Sequence, residues 1–90
     1  MKRLLKIPRL NEDIELIKDD GKYFLCHRFS SKVLLLLNEV AIDIVNRIDG
    51  ENSISNIIEK LMDKYQVSSE ELENDVQDLL SVLQIEEFLC

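Results

Sequence analysis

A chain of 90 residues that is 46% hydrophobic and 32% charged reads as one globular domain over 1–90, neither disordered nor fibrous. Its net charge of −7, from 11 Lys and Arg against 18 Asp and Glu, argues against nucleic acid or any other polyanion as the main partner. No apolar run approaches the length that spans a membrane, so no membrane partner is expected either.

The chain opens on MKRLLKIPRL, a basic N-terminal arm over 1–10 with Lys2, Arg3, Lys6 and Arg9 and no acid. It is too short and too interrupted by charge for a signal peptide, which predicts a cytoplasmic protein. Pro8 discourages a continuous helix there. The arm is expected to pack on the acidic surface of its own domain. Cys26 and Cys90 form no CxxC and accompany a single His27, so both are expected to be reduced thiols, with no metal site.

Ile14 to Lys18 reads as a strand. Asp19-Asp20-Gly21-Lys22 is a hairpin turn, with Gly21 supplying the positive φ such turns need. Tyr23 to Arg28 is the second strand. Phe29-Ser30-Ser31-Lys32 turns the chain into a third, the unbroken apolar run Val33 to Leu37, which lies at a sheet edge. Asn38 then caps a helix over about Glu39 to Arg47, stopped by Asp49-Gly50. Ser53 caps a second helix whose Ile54, Ile57, Ile58, Leu61 and Tyr65 form an amphipathic stripe. Ser68 and Glu71 form a capping box for a third, with Val67 and Leu72 as a hydrophobic staple. Leu72, Val76, Leu79, Leu80 and Leu83 line one side of that helix, and Ile85 to Leu89 is a last turn or a short return strand.

The fold class predicted is α+β: a three-stranded antiparallel sheet followed by three helices, β-β-β-α-α-α, with a winged helix-turn-helix-like order. DNA recognition does not fit that order here. The third helix carries Glu70, Glu71, Glu73, Asp75 and Asp78 and no Lys or Arg between Ser68 and Leu83, the wrong sign for a major groove. There is no GxSxG, phosphate loop or HExxH, and the acids sit on polar helix faces, so no enzyme activity and no cofactor are predicted.

What remains is the apolar third strand. Val33, Leu35 and Leu37 point one way and Leu34 and Leu36 the other. Helices in so short a chain cover one face of a small sheet, so the other face, or the strand edge, needs a cover. A terminal segment, a homodimer or a peptide would each supply one.

These residues carry a resemblance. Leu37-Asn38, Ala41, Ile44 and Asp49-Gly50, then Ile54, Ile57-Ile58, Leu61 and Tyr65, then Asp75-Val76, Leu79-Leu80 and Leu83 fall in the order and spacing of the PqqD family. Pro8 and the Asp20-Gly21 hairpin are similar too, so the likeness runs from about Pro8 to Leu89. PqqD proteins and domains, also called RiPP recognition elements, resemble winged helices but bind peptide. One departure stands out: where the family commonly has Gly before two closing apolar residues, this chain has Glu87 before Phe88-Leu89. That substitution leaves open that the last helix runs on.

The resemblance implies that the leader segment of a ribosomally made precursor adds as a strand beside 33–37, in the groove against helix 68–83. A modifying enzyme, often a radical SAM enzyme, then acts on the held peptide. On that basis Val33, Leu34, Leu35, Leu36 and Leu37 are the candidate edge and floor. Val76, Leu79 and Leu80 stand opposite, and Glu71 and Asp75 are placed to meet basic residues of the leader. The implied partners are the precursor peptide and the maturase. The alternatives are a protein interaction or self-dimerising domain using the same edge and, less favoured, a winged-helix nucleic-acid binder.

Overall fold

The computed structural model describes residues 7–89. Lys2, Arg3 and Lys6 of the arm, and Cys90, lie outside the described residues. The order is β1 (Ile14–Asp19), β2 (Lys22–His27), β3 (Val33–Leu36), α1 (Glu39–Asn46), α2 (Ile54–Tyr65) and α3 (Ser69–Ile85). The strands form one antiparallel sheet in the order β1-β2-β3, which leaves both β1 and β3 as edges.

Local chemistry accounts for the boundaries. Asp20 and Gly21, with φ of 52° and 76°, make the two-residue turn that sets Asp19 opposite Lys22. Asn38 Oδ1 accepts the Ala41 N–H at 2.9 Å, Ser53 Oγ the Asn56 N–H at 3.1 Å, and Ser68 Oγ the Glu71 N–H at 3.2 Å, so each helix starts at its cap. The third strand ends at Leu36 rather than Leu37, because Asn38 already commits the chain to α1.

The last helix does not run on. It stops at Ile85 with a double closure: the Phe88 N–H donates to the Leu83 carbonyl at 2.7 Å and the Glu87 N–H to the Gln84 carbonyl at 3.1 Å. This is the Schellman pattern, and it needs a left-handed residue, which is Glu87 at φ 63°. The glutamate itself adopts the left-handed conformation, at the position where the resemblance implies glycine. The turn drives Phe88 into the core and brings Leu89 into a bridge with Leu10 of the arm. The arm is pinned again where the Gly50 N–H donates to the Pro8 carbonyl at 3.2 Å and Arg9 pairs with Asp49. At φ 81° Gly50 leaves room for the Arg9 side chain, which would lie 3.3 Å from an added Cβ.

The core lies between the sheet and the helices. It contains Leu25 and Leu36 from the sheet, Ile44 and Val45 from α1, Ile57 and Leu61 from α2, and Leu72, Val76, Leu80 and Leu83 from α3. Pairing of Leu25 with Leu34 and of Tyr23 with Leu36 places those residues on the core face. Phe24, paired with Leu35, and Cys26, paired with Val33, lie on the outer face.

Candidate functional site

The β3 backbone has a free side. The His27 N–H donates to the Lys32 carbonyl at 3.1 Å, which makes that pair a hydrogen-bonded one. In an antiparallel ladder such pairs alternate, so Leu34 and Leu36 bond inward to β2. Val33 and Leu35 therefore turn their N–H and C=O groups outward, where no strand of the sheet meets them.

Along this edge runs a groove of about 470 Å³. Leu34 to Leu37 form one wall, and Asp75, Asp78, Leu79 and Val82 of α3 form the other. Asn38, with Val40, Ala41 and Ile44 of α1, lies at its base. The lining is mostly apolar. Its only ionisable groups are Asp75 and Asp78, so the groove combines a greasy floor with an acidic rim.

The ten candidate residues separate by burial. Leu34, Leu35, Leu37, Asp75 and Leu79 line the groove and keep accessible surface. Leu36 lines it too, but at 5% exposure it is foremost a core residue. Val76 and Leu80 are corrections: both are fully buried among the core side chains and present no surface to a ligand. The helical stripe that suggested them is the one that faces the core. Val33 stands on the outer face at the start of the strand, and Glu71 sits exposed in the first turn of α3, away from the lining. Asp78 and Val82 were missed. The signal for them was the line 75, 78, 82 at i, i+3 and i+7, one helical step round from the core stripe.

A second cluster holds α1 in place. Asp43 accepts from the Tyr65 hydroxyl and, at 2.8 Å, from Lys64 Nζ, both at the end of α2. Arg47 stands 3.7 Å from the same carboxylate. Burial pushes the Asp43 carboxyl up, but the hydrogen bonds from Lys64 and Tyr65 and the charges of Lys64 and Arg47 outweigh it and hold the carboxyl below its ordinary value. The same bonds raise Lys64 and Tyr65. The cluster ties α1 to α2, and α1 supplies the base of the groove. Tyr65 is the one member that the helical stripe singled out.

Among the described residues no group of His, Cys, Asp and Glu is arranged to hold a metal ion, and no helix is long and apolar enough to cross a membrane.

The sequence model of the family described as "Coenzyme PQQ synthesis protein D (PqqD)" matches residues 19–89. Two solved structures share the fold. "Lasso peptide synthetase B1 complexed with the leader peptide" superposes with a TM-score of 0.79 at 24% identity, covering 93% of this chain and 98% of that one. "TbiB1 in Complex with the TbiA(beta) Leader Peptide" superposes with a TM-score of 0.77 at 20% identity, covering 90% and 93%. No curated protein sequence matches the chain.

Proposed function

The chain belongs to the PqqD family, and from that premise we propose that it binds the leader segment of a ribosomally synthesised precursor peptide and presents it to a modifying enzyme. The leader adds as a fourth strand along β3. The observation that carries this is the coincidence of an unpaired strand edge with an apolar groove along it. Both of the solved structures named above hold a leader peptide, by their own description.

The physics of strand addition fits the site. The outward N–H and C=O groups of Val33 and Leu35 give up to four backbone bonds, each worth about 1 kcal/mol net. Peptide residues opposite Leu34 and Leu36 point their side chains to the groove side, against Leu79 and Val82. Residues opposite Leu35 extend the outer face. Bonds and anchors together offset the ordering of the peptide and lead to a dissociation constant on the order of micromolar. The role is binding and positioning, and the chemistry belongs to the partner enzyme, for which a radical SAM maturase is the family's common choice.

An NMR titration of labelled protein with a synthetic leader from a short reading frame beside the gene tests this. Shifts should concentrate in Val33 to Leu37 and in α3 from Asp75 to Val82. Saturable shifts elsewhere, with these signals still, would reject the site.

A second reading uses the same edge: β3 of one copy pairing with β3 of another. Sedimentation separates the two. A dimer that persists at low concentration and resists added leader favours self-pairing, and a monomer that takes up leader favours the peptide site.

A further inference from the structure

We propose that the groove selects its peptide by charge along its length. The bound strand carries a Lys or Arg opposite Asp75 and Asp78 and, two or four residues further toward its C-terminus, an apolar side chain opposite Val82 and Ile85. This rests on the leader-binding reading above and adds the sequence class of the ligand.

The observation is a stripe on α3 that changes character from end to end. Asp75, Asp78, Val82 and Ile85 fall at i, i+3, i+7 and i+10, one line along the helix. All four are exposed, Val82 at 41% and Ile85 at 76%. The stripe is acidic in its N-terminal half and apolar in its C-terminal half. Among the described residues neither Asp75 nor Asp78 has an ion-pair partner, and the groove lining holds no cation. Two carboxylates beside an apolar floor attract a cationic side chain whose stem lies on Leu37 and Val40.

The direction of β3 is fixed against this stripe. Lys32, just before β3, donates from Nζ to the Glu86 carbonyl at 3.2 Å, which seats the start of the strand beside the end of α3. The strand then runs toward the acidic end, where Leu37 and Asn38 line the groove with Asp75. A fourth strand that continues the antiparallel pattern enters at the acidic end and leaves at the apolar one. The two halves of the stripe are separated by about 10 Å at 1.5 Å per helical residue, and a strand covers that in about three residues. Because alternate residues share a face, the step is two or four.

The probe is a phage-displayed library of random dodecapeptides, panned on the folded protein and on the Asp75→Lys/Asp78→Lys double variant. Both sites are exposed, and a thermal melt checks that the variant folds. Wild-type protein is expected to enrich a Lys or Arg two or four residues N-terminal to Leu, Ile, Val or Phe. The variant is expected to enrich Asp or Glu in place of the cation. By fluorescence anisotropy, a selected peptide and its Lys-to-Glu counterpart should differ about tenfold on wild type, in the opposite order on the variant, and by less as salt rises. Enriched peptides with no charge preference, with the order reversed, or with the same preference on both proteins overturn the charge selection. If those peptides still lose binding on Leu35→Pro, strand addition survives that failure. If they bind Leu35→Pro as tightly as wild type, or if nothing enriches on wild type, the strand-addition reading falls and this inference with it.

Discussion

β1 and β3 are the two edges of one three-stranded sheet, and they are built to opposite ends. β1 reads IELIKD, with Glu15, Lys18 and Asp19 spaced along it, and Glu15 is paired with Arg28 at 3.0 Å. Charges on an edge strand discourage pairing with another chain. β3 reads VLLL, with no polar residue, and an apolar groove follows its free side. Outward backbone is present on both: Leu16 and Lys18 turn their N–H and C=O groups outward on β1 just as Val33 and Leu35 do on β3, because the Arg28 N–H to Asp13 carbonyl bond sets the alternation, while the Ile14 N–H is taken by the Asn11 carbonyl at 3.0 Å. An unpaired edge is thus not itself a binding site. On the strand-addition reading, what distinguishes β3 is that its side chains and those of α3 would reward a strand laid there, whereas the charges of β1 would penalise one.

The comparison breaks most sharply at one leucine on each edge. Leu36 and Leu16 both face the core side, but Leu36 is 5% exposed and Leu16 is 37% exposed. Leu36→Lys should cost about 3–5 kcal/mol, through the lost packing and the buried charge, and unfold much of the population. Leu16→Lys should cost less than about 1 kcal/mol, since its ammonium reaches water. Urea denaturation of the two variants gives the ratio, and equal losses would mean that β1 is as deeply packed as β3.

The next effect is on binding. Leu35→Pro removes an outward N–H and places a ring on the free edge without breaking a β2–β3 bond, and Leu16→Pro does the same to β1. The first should weaken leader binding by about tenfold to a hundredfold. The second should leave it unchanged. Circular dichroism melts confirm that both fold. Equal weakening by both would remove the distinction between the edges.

How much of this was readable beforehand follows the range of the interactions. The hairpin at Asp20-Gly21 and the caps at Asn38, Ser53 and Ser68 are decided within a few residues, and each appears where the local pattern puts it. The apolar run 33–37 marked the edge strand for the same reason. Which of its leucines faces the groove was not readable, because that depends on the register of β2 against β3. Val76 and Leu80 looked like groove residues and Asp78 and Val82 did not, because apolar spacing locates the stripe facing the core and says little about the line beside it. Asp43 gave no signal at all. Its partners Lys64 and Tyr65 lie a helix away, and only packing brings them together.

That packing gives a smaller prediction, on stability and pH. Asp43 is partly buried and accepts two hydrogen bonds from α2, so Asp43→Asn should cost about 1 kcal/mol. Its carboxyl sits below the ordinary value in the folded chain, so the unfolded chain takes up the proton first as pH falls. The stabilisation is therefore full above about pH 4, the unfolded value, and is lost as pH drops through the folded one. Thermal melts between pH 7 and pH 2 should show wild type losing more than Asp43→Asn over the acid range. Because α1 forms the base of the groove beside β3 and not β1, the variant should also weaken leader binding slightly. Parallel acid curves for the two proteins would show that the cluster is not a clamp.

The smallest effect belongs to a residue outside the groove lining. Glu87 holds a left-handed φ of 63° to close α3, and an L side chain there costs roughly 1 kcal/mol against the right-handed region. Glu87→Gly removes that cost and adds about 0.5 kcal/mol of unfolded-chain entropy, for a net gain of about 0.5 kcal/mol. The turn itself is kept by the bonds from Phe88 to Leu83 and from Glu87 to Gln84, which are backbone bonds and survive the change. Glu87 is not among the residues that line the groove, and its exposed carboxylate has no ion-pair partner among the described residues. The variant should therefore melt a few degrees higher with leader affinity unchanged. A rise in stability that also altered binding would mean that the end of α3, and with it Val82 and Ile85, is positioned by that turn, and the contrast between the edges would then depend on how the helix is closed as well as on what it displays.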